Sequence, residues 1–153
     1  MKFGLNIPTR LQFGGGELKN LATMPLPGTK ALIVISAGSS MKRFGYLSTL
    51  EEQLDKAGIG HVTFDKILPN PIKSHVMEGA EMCRTHACDF VIGLGGGSSI
   101  DTAKAIAVTA AMGGDFWDYV KAALVVARPL SVRCPSLPFP RPPAQVPKLT
   151  CGA

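Results

Sequence analysis

The chain has 153 residues, 46% of them apolar, and a formal charge of +5. That length suits one domain of ordinary size. The charge suggests a nucleic-acid or membrane partner until it is counted by segment. Residues 1–120 hold eleven basic and eleven acidic side chains, so the whole excess comes from Lys121, Arg128, Arg133, Arg141 and Lys148, which are spread among prolines. Five separated charges do not make a nucleic-acid face.

The opening MKFGLNIPTR has a lysine but no apolar run behind it, so it does not read as a secretory leader. The longest apolar stretches, such as AIAVTAAM, are too short to span a bilayer. Cys83, Cys88, Cys134 and Cys151 show no C-x-x-C spacing and read as buried or incidental thiols. A reduced, cytoplasmic protein with no nucleic-acid or membrane partner is expected.

In chain order, a strand or hairpin is expected first, near Thr9 to Phe13, before the Gly14–Gly16 turn. ALIVIS (31–36) is nearly continuous in apolar and β-branched residues, as in a central parallel strand covered on both faces. From Tyr46 to Ala57 the spacing of Leu47, Leu50, Leu54 and Ala57 predicts a helix stopped by Gly58. HVTFDKI (61–67) reads as a second strand. Val76, Met77, Ala80 and Cys83 then form the apolar stripe of a helix over Lys73–Thr85. DFVIGL (89–94) is a third strand, and GGGSSIDTAKAIAVTAAM follows as a glycine turn opening an alanine-rich helix. The periodic pattern ends with DFWDY (115–119). Strand and helix in alternation predict an open, mostly parallel α/β sheet with right-handed crossovers, flanked by helices.

The strongest chemical signal is GLGGGSSIDTAK, Gly93 to Lys104. A glycine turn between a strand and a helix lets a ligand approach the backbone, and the helix start offers free N–H groups and partial positive charge to a pyrophosphate. It matches neither G-x-G-x-x-G followed by an acid nor a P-loop. Ser98-x-x-Asp101 also has the form of a capping box, in which case the glycines would only make a turn.

A second loop, Ser36 to Gly45, carries Gly38, Ser39, Ser40, Lys42 and Arg43 and no acid of its own. Hydroxyls and cations there favour a 2′-phosphate, hence NADP over NAD. In Leu68-Pro-Asn-Pro71 the two prolines restrict Asn70, whose amide could face the same cleft. His61, His75 and His86 lie in different elements without metal-ligand spacing and read as structural or exposed.

Together, GGGSSIDTAKAIA, the preceding FVIGL, the LPNP loop and ALIVISAGSSMKRFG resemble the N-terminal half of an iron-containing (group III) alcohol dehydrogenase, from about Phe3 to Tyr119. The likeness is greater to the butanol and propanediol branch than to glycerol dehydrogenase. It implies a Rossmann-like N-terminal domain of the dehydroquinate synthase-like fold over residues 1–120. It also implies that Gly95, Gly96, Gly97 and Ser98 hold the cofactor pyrophosphate. Asp101 and Lys104 belong to the same motif, Asn70 lies by the cofactor, and Gly38, Ser39 and Ser40 lie at its adenosine end. In the family a helical domain carries an Asp and three His that bind Fe²⁺ or sometimes zinc, and hydride passes between nicotinamide and an alcohol or aldehyde. Those metal ligands have no counterpart in this sequence, so no catalytic or metal residue is assigned. A homodimer is left open.

Residues 121–153 contain seven prolines and no acid. Read one frame over from Pro138, permitted codons spell Ile-Pro-Thr-Thr-Ala-Gly-Thr-Gly-Thr-Glu-Ala-Asp, the next cofactor motif of the family. The expectation is a non-native, loosely ordered tail produced by a frameshift near Lys121, and a cofactor-binding half inactive alone. The alternatives are a non-catalytic nucleotide-binding or interaction module with a functional Pro-rich tail, or a polyol enzyme of the same fold such as a dehydroquinate synthase relative.

Overall fold

The computed structural model describes residues 10–70 and 72–125. A 3₁₀ segment, Glu17–Thr23, leads into β1 (Lys30–Ser36), α1 (Ser40–Arg43) and α2 (Tyr46–Lys56). Then come β2 (Gly60–Ile67), α3 (Lys73–Thr85), β3 (Phe90–Gly93), α4 (Gly97–Met112) and α5 (Phe116–Val125). The three strands are all parallel, in the order β2-β1-β3.

The near-continuous apolar run of β1 has a direct cause: Ala31 to Ile35 are completely buried, and the strand is covered on both faces. Alternate side chains leave opposite faces of a strand. Leu32 and Val34 pack with Phe64, Val76, Ala80 and Ile106, the core beneath α3 and α4. Ala31, Ile33 and Ile35 pack with Leu47, Leu50 and Leu54 of α2. Each such aliphatic side chain contributes about 1.5–3 kcal/mol when fully buried. The predicted stripes of α2 and α3 are the buried faces, and Gly58 sits at φ 70 behind α2 as the expected stop.

At the bottom of the sheet, Asp89 ties the entry of β3 to that of β1. Its carboxylate accepts from the Thr29 N–H at 2.7 Å, the Thr29 hydroxyl at 3.0 Å and the Lys30 N–H at 2.9 Å. The carboxylate lies so close to Gly28 that a Cβ there would stand 2.3 Å from it. Asp89→Ala should therefore lower stability by about 2 kcal/mol, since it leaves two strand-entry amides without their acceptor. Urea unfolding followed by circular dichroism measures this.

The strand expected at Thr9–Phe13 is not formed over residues 10–13, and Thr9 lies outside the described residues. Leu11 and Phe13 are 81% and 95% exposed. Two alternating apolar residues make no strand unless another strand pairs with them, and the described sheet holds β1, β2 and β3 alone.

The helix α5 begins within DFWDY, where the periodic pattern ends. Asp115 starts it, its carboxylate accepting from Trp117 N–H at 2.9 Å while also pairing with Lys73 at 2.5 Å. Residues 121–125, the start of the expected loosely ordered tail, form the end of α5, and the rest of that tail, 126–153 with Cys134 and Cys151, lies outside the described residues.

Candidate functional site

Because β2 lies on one side of β1 and β3 on the other, the chain reverses its direction of winding at β1. From the top of β1 the chain turns to α1 and α2 on one face of the sheet, while from β3 it turns to α4 on the other. Loops that part in this way leave a crevice at the carboxyl ends of the strands, where open α/β sheets bind ligands. A cleft of about 380 Å³ lies there. Its walls are Ser36, Ala37 and Gly38 at the end of β1, Ile67, Leu68 and Pro69 at the end of β2, and Gly96, Gly97, Ser98 and Ser99 at the start of α4.

The glycines of GLGGG have separate reasons to be glycine. At Gly93 a Cβ would meet Ala103 Cβ at 3.0 Å and Ile100 Cα at 3.1 Å, so this residue lets α4 lie close on β3. Gly95 has φ +136, a conformation that residues with a side chain rarely adopt. Gly96 and Gly97 have neither reason: their φ is unexceptional and a Cβ on either would meet nothing within 4 Å. At Gly38 the nearest atom to such a Cβ, other than those of its chain neighbours, is the Ser36 hydroxyl at 3.8 Å. The fold itself would accept side chains at these three positions, and all three face the cleft. What the bare backbone leaves is room for a ligand.

The capping-box reading of Ser98 and Asp101 is overturned. The N-cap of α4 is Gly96, and no side chain caps it. The strained turn at Gly95 starts the helix earlier than the S-x-x-D spacing implies, so Ser98 falls inside the first turn. Asp101 pairs instead with Lys104 at 3.4 Å on the exposed surface. An uncapped start leaves the first helical N–H groups without intrahelical acceptors and with the positive end of the helix dipole.

The cleft thus brings together Gly38, Gly96, Gly97 and Ser98 of the expected site, with Gly95 adjoining. Ser39 and Ser40 stand at its edge, where their carbonyls accept from Arg43 and Phe44 N–H at 2.7 and 3.0 Å to begin α1. Asn70, Asp101 and Lys104 do not line it. Asn70 is exposed at φ 64, a left-handed turn that asparagine tolerates, and its neighbours Leu68 and Pro69 form the wall instead. The cleft also takes in Ser36, the last residue of ALIVIS, which the sequence had not singled out, and the buried Ser99, the second hydroxyl of GGGSS.

Sequence reasoning missed Asp65. This carboxylate, from β2, takes the Lys42 ammonium at 2.5 Å beside the loop that has no acid of its own. The hydrogen bond from Lys42 holds the Asp65 carboxyl below the usual carboxylate range. The pair therefore stays ionised at neutral pH, and its small contribution to stability is lost only as pH falls through that lowered value.

Cys83 and Cys88 are buried and not joined in a disulfide, and burial pushes the Cys88 thiol up, away from the reactive thiolate. His61 and His75 are partly buried and His86 is exposed. Among the described residues no three His, Cys, Asp or Glu side chains are grouped to hold a metal ion, and no helix is long and apolar enough to cross a membrane.

An open parallel sheet wound both ways from β1, with a glycine-lined cleft at the reversal, defines a Rossmann-like α/β protein. The sequence model for iron-containing alcohol dehydrogenases matches residues 8–139, and the chain belongs to that family. It is 41% identical over 113 residues to a Bacillus subtilis protein described as "Probable NADH-dependent butanol dehydrogenase 1", covering 74% of this chain and 29% of that one. The NADPH-dependent butanol dehydrogenase of Clostridium saccharobutylicum is 40% identical over 106 residues, 69% of this chain and 26% of that one. Among solved structures, NADH-dependent butanol dehydrogenase A of Thermotoga maritima superimposes with a TM-score of 0.71 at 33% identity, over 76% of this chain and 30% of that one. The chain therefore spans less than a third of the length of these relatives.

Proposed function

We propose that this chain is the cofactor-binding part of an alcohol dehydrogenase and holds the pyrophosphate of NADP(H) or NAD(H) between Gly38 and the start of α4. The observation that carries this is the bare backbone of Gly38, Gly96 and Gly97, which the fold does not require and a diphosphate does. The Ser36, Ser98 and Ser99 side chains add hydroxyl donors, and the uncapped helix start favours an anion. At the adenosine end, Ser39, Ser40, Lys42 and Arg43 favour a 2′-phosphate. When bound, the nicotinamide supplies or accepts hydride, and the family's substrates are alcohols and aldehydes. The described residues offer no ligand set for the family's iron, so no step is assigned to it.

Calorimetric titration of the chain with NADPH and NADH should show binding of at least one. Under the same proposal an iron-loaded sample should turn over no alcohol on its own. Metal-dependent turnover by these residues alone would sink the view that the chain is only a cofactor-binding half. Absence of nucleotide binding would leave the interaction-module reading in its place.

We further propose that the residues after about Lys121 are translated out of frame. A nucleotide sequence that cannot encode Thr-Thr-Ala-Gly-Thr-Gly one frame over in this segment overturns that.

A further inference from the structure

We propose that Asp65 sets the choice between NAD(H) and NADP(H), by competing with a cofactor 2′-phosphate for the Lys42 ammonium. The inference rests on the cleft being the dinucleotide site. It starts from an irregularity in the sheet. β1 and β2 run in register from Lys30↔Gly60 to Val34↔Phe64, but the next pair is Ser36↔Ile67. Two residues of β2, Asp65 and Lys66, thus face the single Ile35 of β1. An extra residue of this kind bends a strand and re-aims its side chains.

Here the two side chains go to different helices. Lys66 pairs with Glu78 of α3, and Asp65 pairs with Lys42 of α1. The first pair past the irregularity, Ser36 and Ile67, already lines the cleft. Asp65 is two residues below Ile67, about 7 Å along the strand. Lys42 lies one helical turn beyond Ser39, whose carbonyl accepts from Arg43. Neither partner lines the cleft, but each lies a few residues along the chain from residues that do, Asp65 from Ile67 and Lys42 from Gly38.

The cations of the loop after β1 are engaged. Lys42 is held by Asp65, and Arg43 lies over the Phe44 ring at 5.2 Å. A ribose 2′-hydroxyl asks nothing of them. A 2′-phosphate must draw Lys42 from Asp65 and then sit near the freed carboxylate. Asp65 is thereby a brake on the preference for phosphate that the loop's own residues create. A merely structural ion pair, about half exposed at both ends, would affect both dinucleotides alike.

The test is fluorescence titration of the full chain with NADH and with NADPH. Asp65→Asn should raise the NADPH-to-NADH affinity ratio about tenfold, the scale of one charged hydrogen bond, with the NADH affinity within about twofold of wild type. Asp65→Glu should restore the original ratio. Lys42→Gln should lower the ratio, and adding it to Asp65→Asn should remove the gain. Thermal melts identify a variant that does not fold, and if Asp65→Asn is one, Lys42→Gln alone decides. A ratio unchanged by Lys42→Gln and by Asp65→Asn, with both dinucleotides still bound, overturns the proposal and leaves the cleft assignment standing. Failure of the wild-type chain to bind either dinucleotide overturns both.

Discussion

Gly97→Val is expected to leave the chain folded and to reduce dinucleotide affinity at least about 100-fold, the equivalent of about 2.7 kcal/mol. The two halves of that result have separate causes. Valine is a slightly better helix former than glycine, and a Cβ at position 97 meets nothing within 4 Å, so the melting temperature should hold or rise a little. Its methyl groups instead enter the cleft beside the first N–H groups of α4, where the proposed site takes the pyrophosphate. Isothermal titration with NADPH and NADH alongside a thermal melt reads both. Affinity within about threefold of wild type in a folded variant would show that the space at Gly97 is not used by a ligand.

Gly93→Val should do the reverse and unfold the sheet before any question of binding arises. A side chain at this position meets Ala103 Cβ at 3.0 Å, Ile100 Cα at 3.1 Å and the Ser99 carbonyl at 3.2 Å. Two of those three atoms belong to the backbone of α4, which can yield only by moving the whole helix. Overpacking of this kind costs about 3 kcal/mol, a large share of the stability of an ordinary domain. Chemical denaturation should show a midpoint lowered accordingly, or no folded baseline. A wild-type transition would mean that α4 can slide on β3.

The contrast between these neighbouring glycines marks how far the sequence could be read. That GLGGG lies between a strand and a helix was legible, because β-branched residues run up to it and an alanine-rich segment follows. Which glycine serves the fold and which the ligand depends on what α4 packs against, and no local pattern carries that. The three strands and the two amphipathic helices were legible for the same reason: each has a buried face with its own period. The 3₁₀ segment, with only Leu18 and Leu21 packed on the core, and the four-residue α1 were too short to show a period, and α5 begins where the alternation had been read as finished. The strand expected near Thr9–Phe13 rested on two apolar residues and found no partner over residues 10–13.

Within the site, errors came from treating neighbours in sequence as neighbours in function. Ser98 and Asp101 have capping-box spacing, but the helix starts at Gly97 and Asp101 turns to Lys104. Asn70, Asp101 and Lys104 sit in recognisable motifs but are not among the residues that line the cleft. Asp65 was invisible for the opposite reason. It is 23 residues from Lys42, and the loop seemed free of acid because its acid comes from another strand.

The strand order has a consequence for how the molecule is made. β1 is the most apolar strand, and it leaves the ribosome before either neighbour: Lys30 pairs with Gly60, and Ala31 with Phe90. At a synthesis rate of about 5–20 residues per second, β1 waits about 3–12 s for its last partner. During that interval ALIVIS is a six-residue segment of high β-propensity without charge, proline or glycine, and both its edges are unpaired. The strand whose centre is most deeply buried in the finished sheet is therefore the nascent chain's greatest hazard, and a chaperone that captures short apolar segments should find its main purchase there.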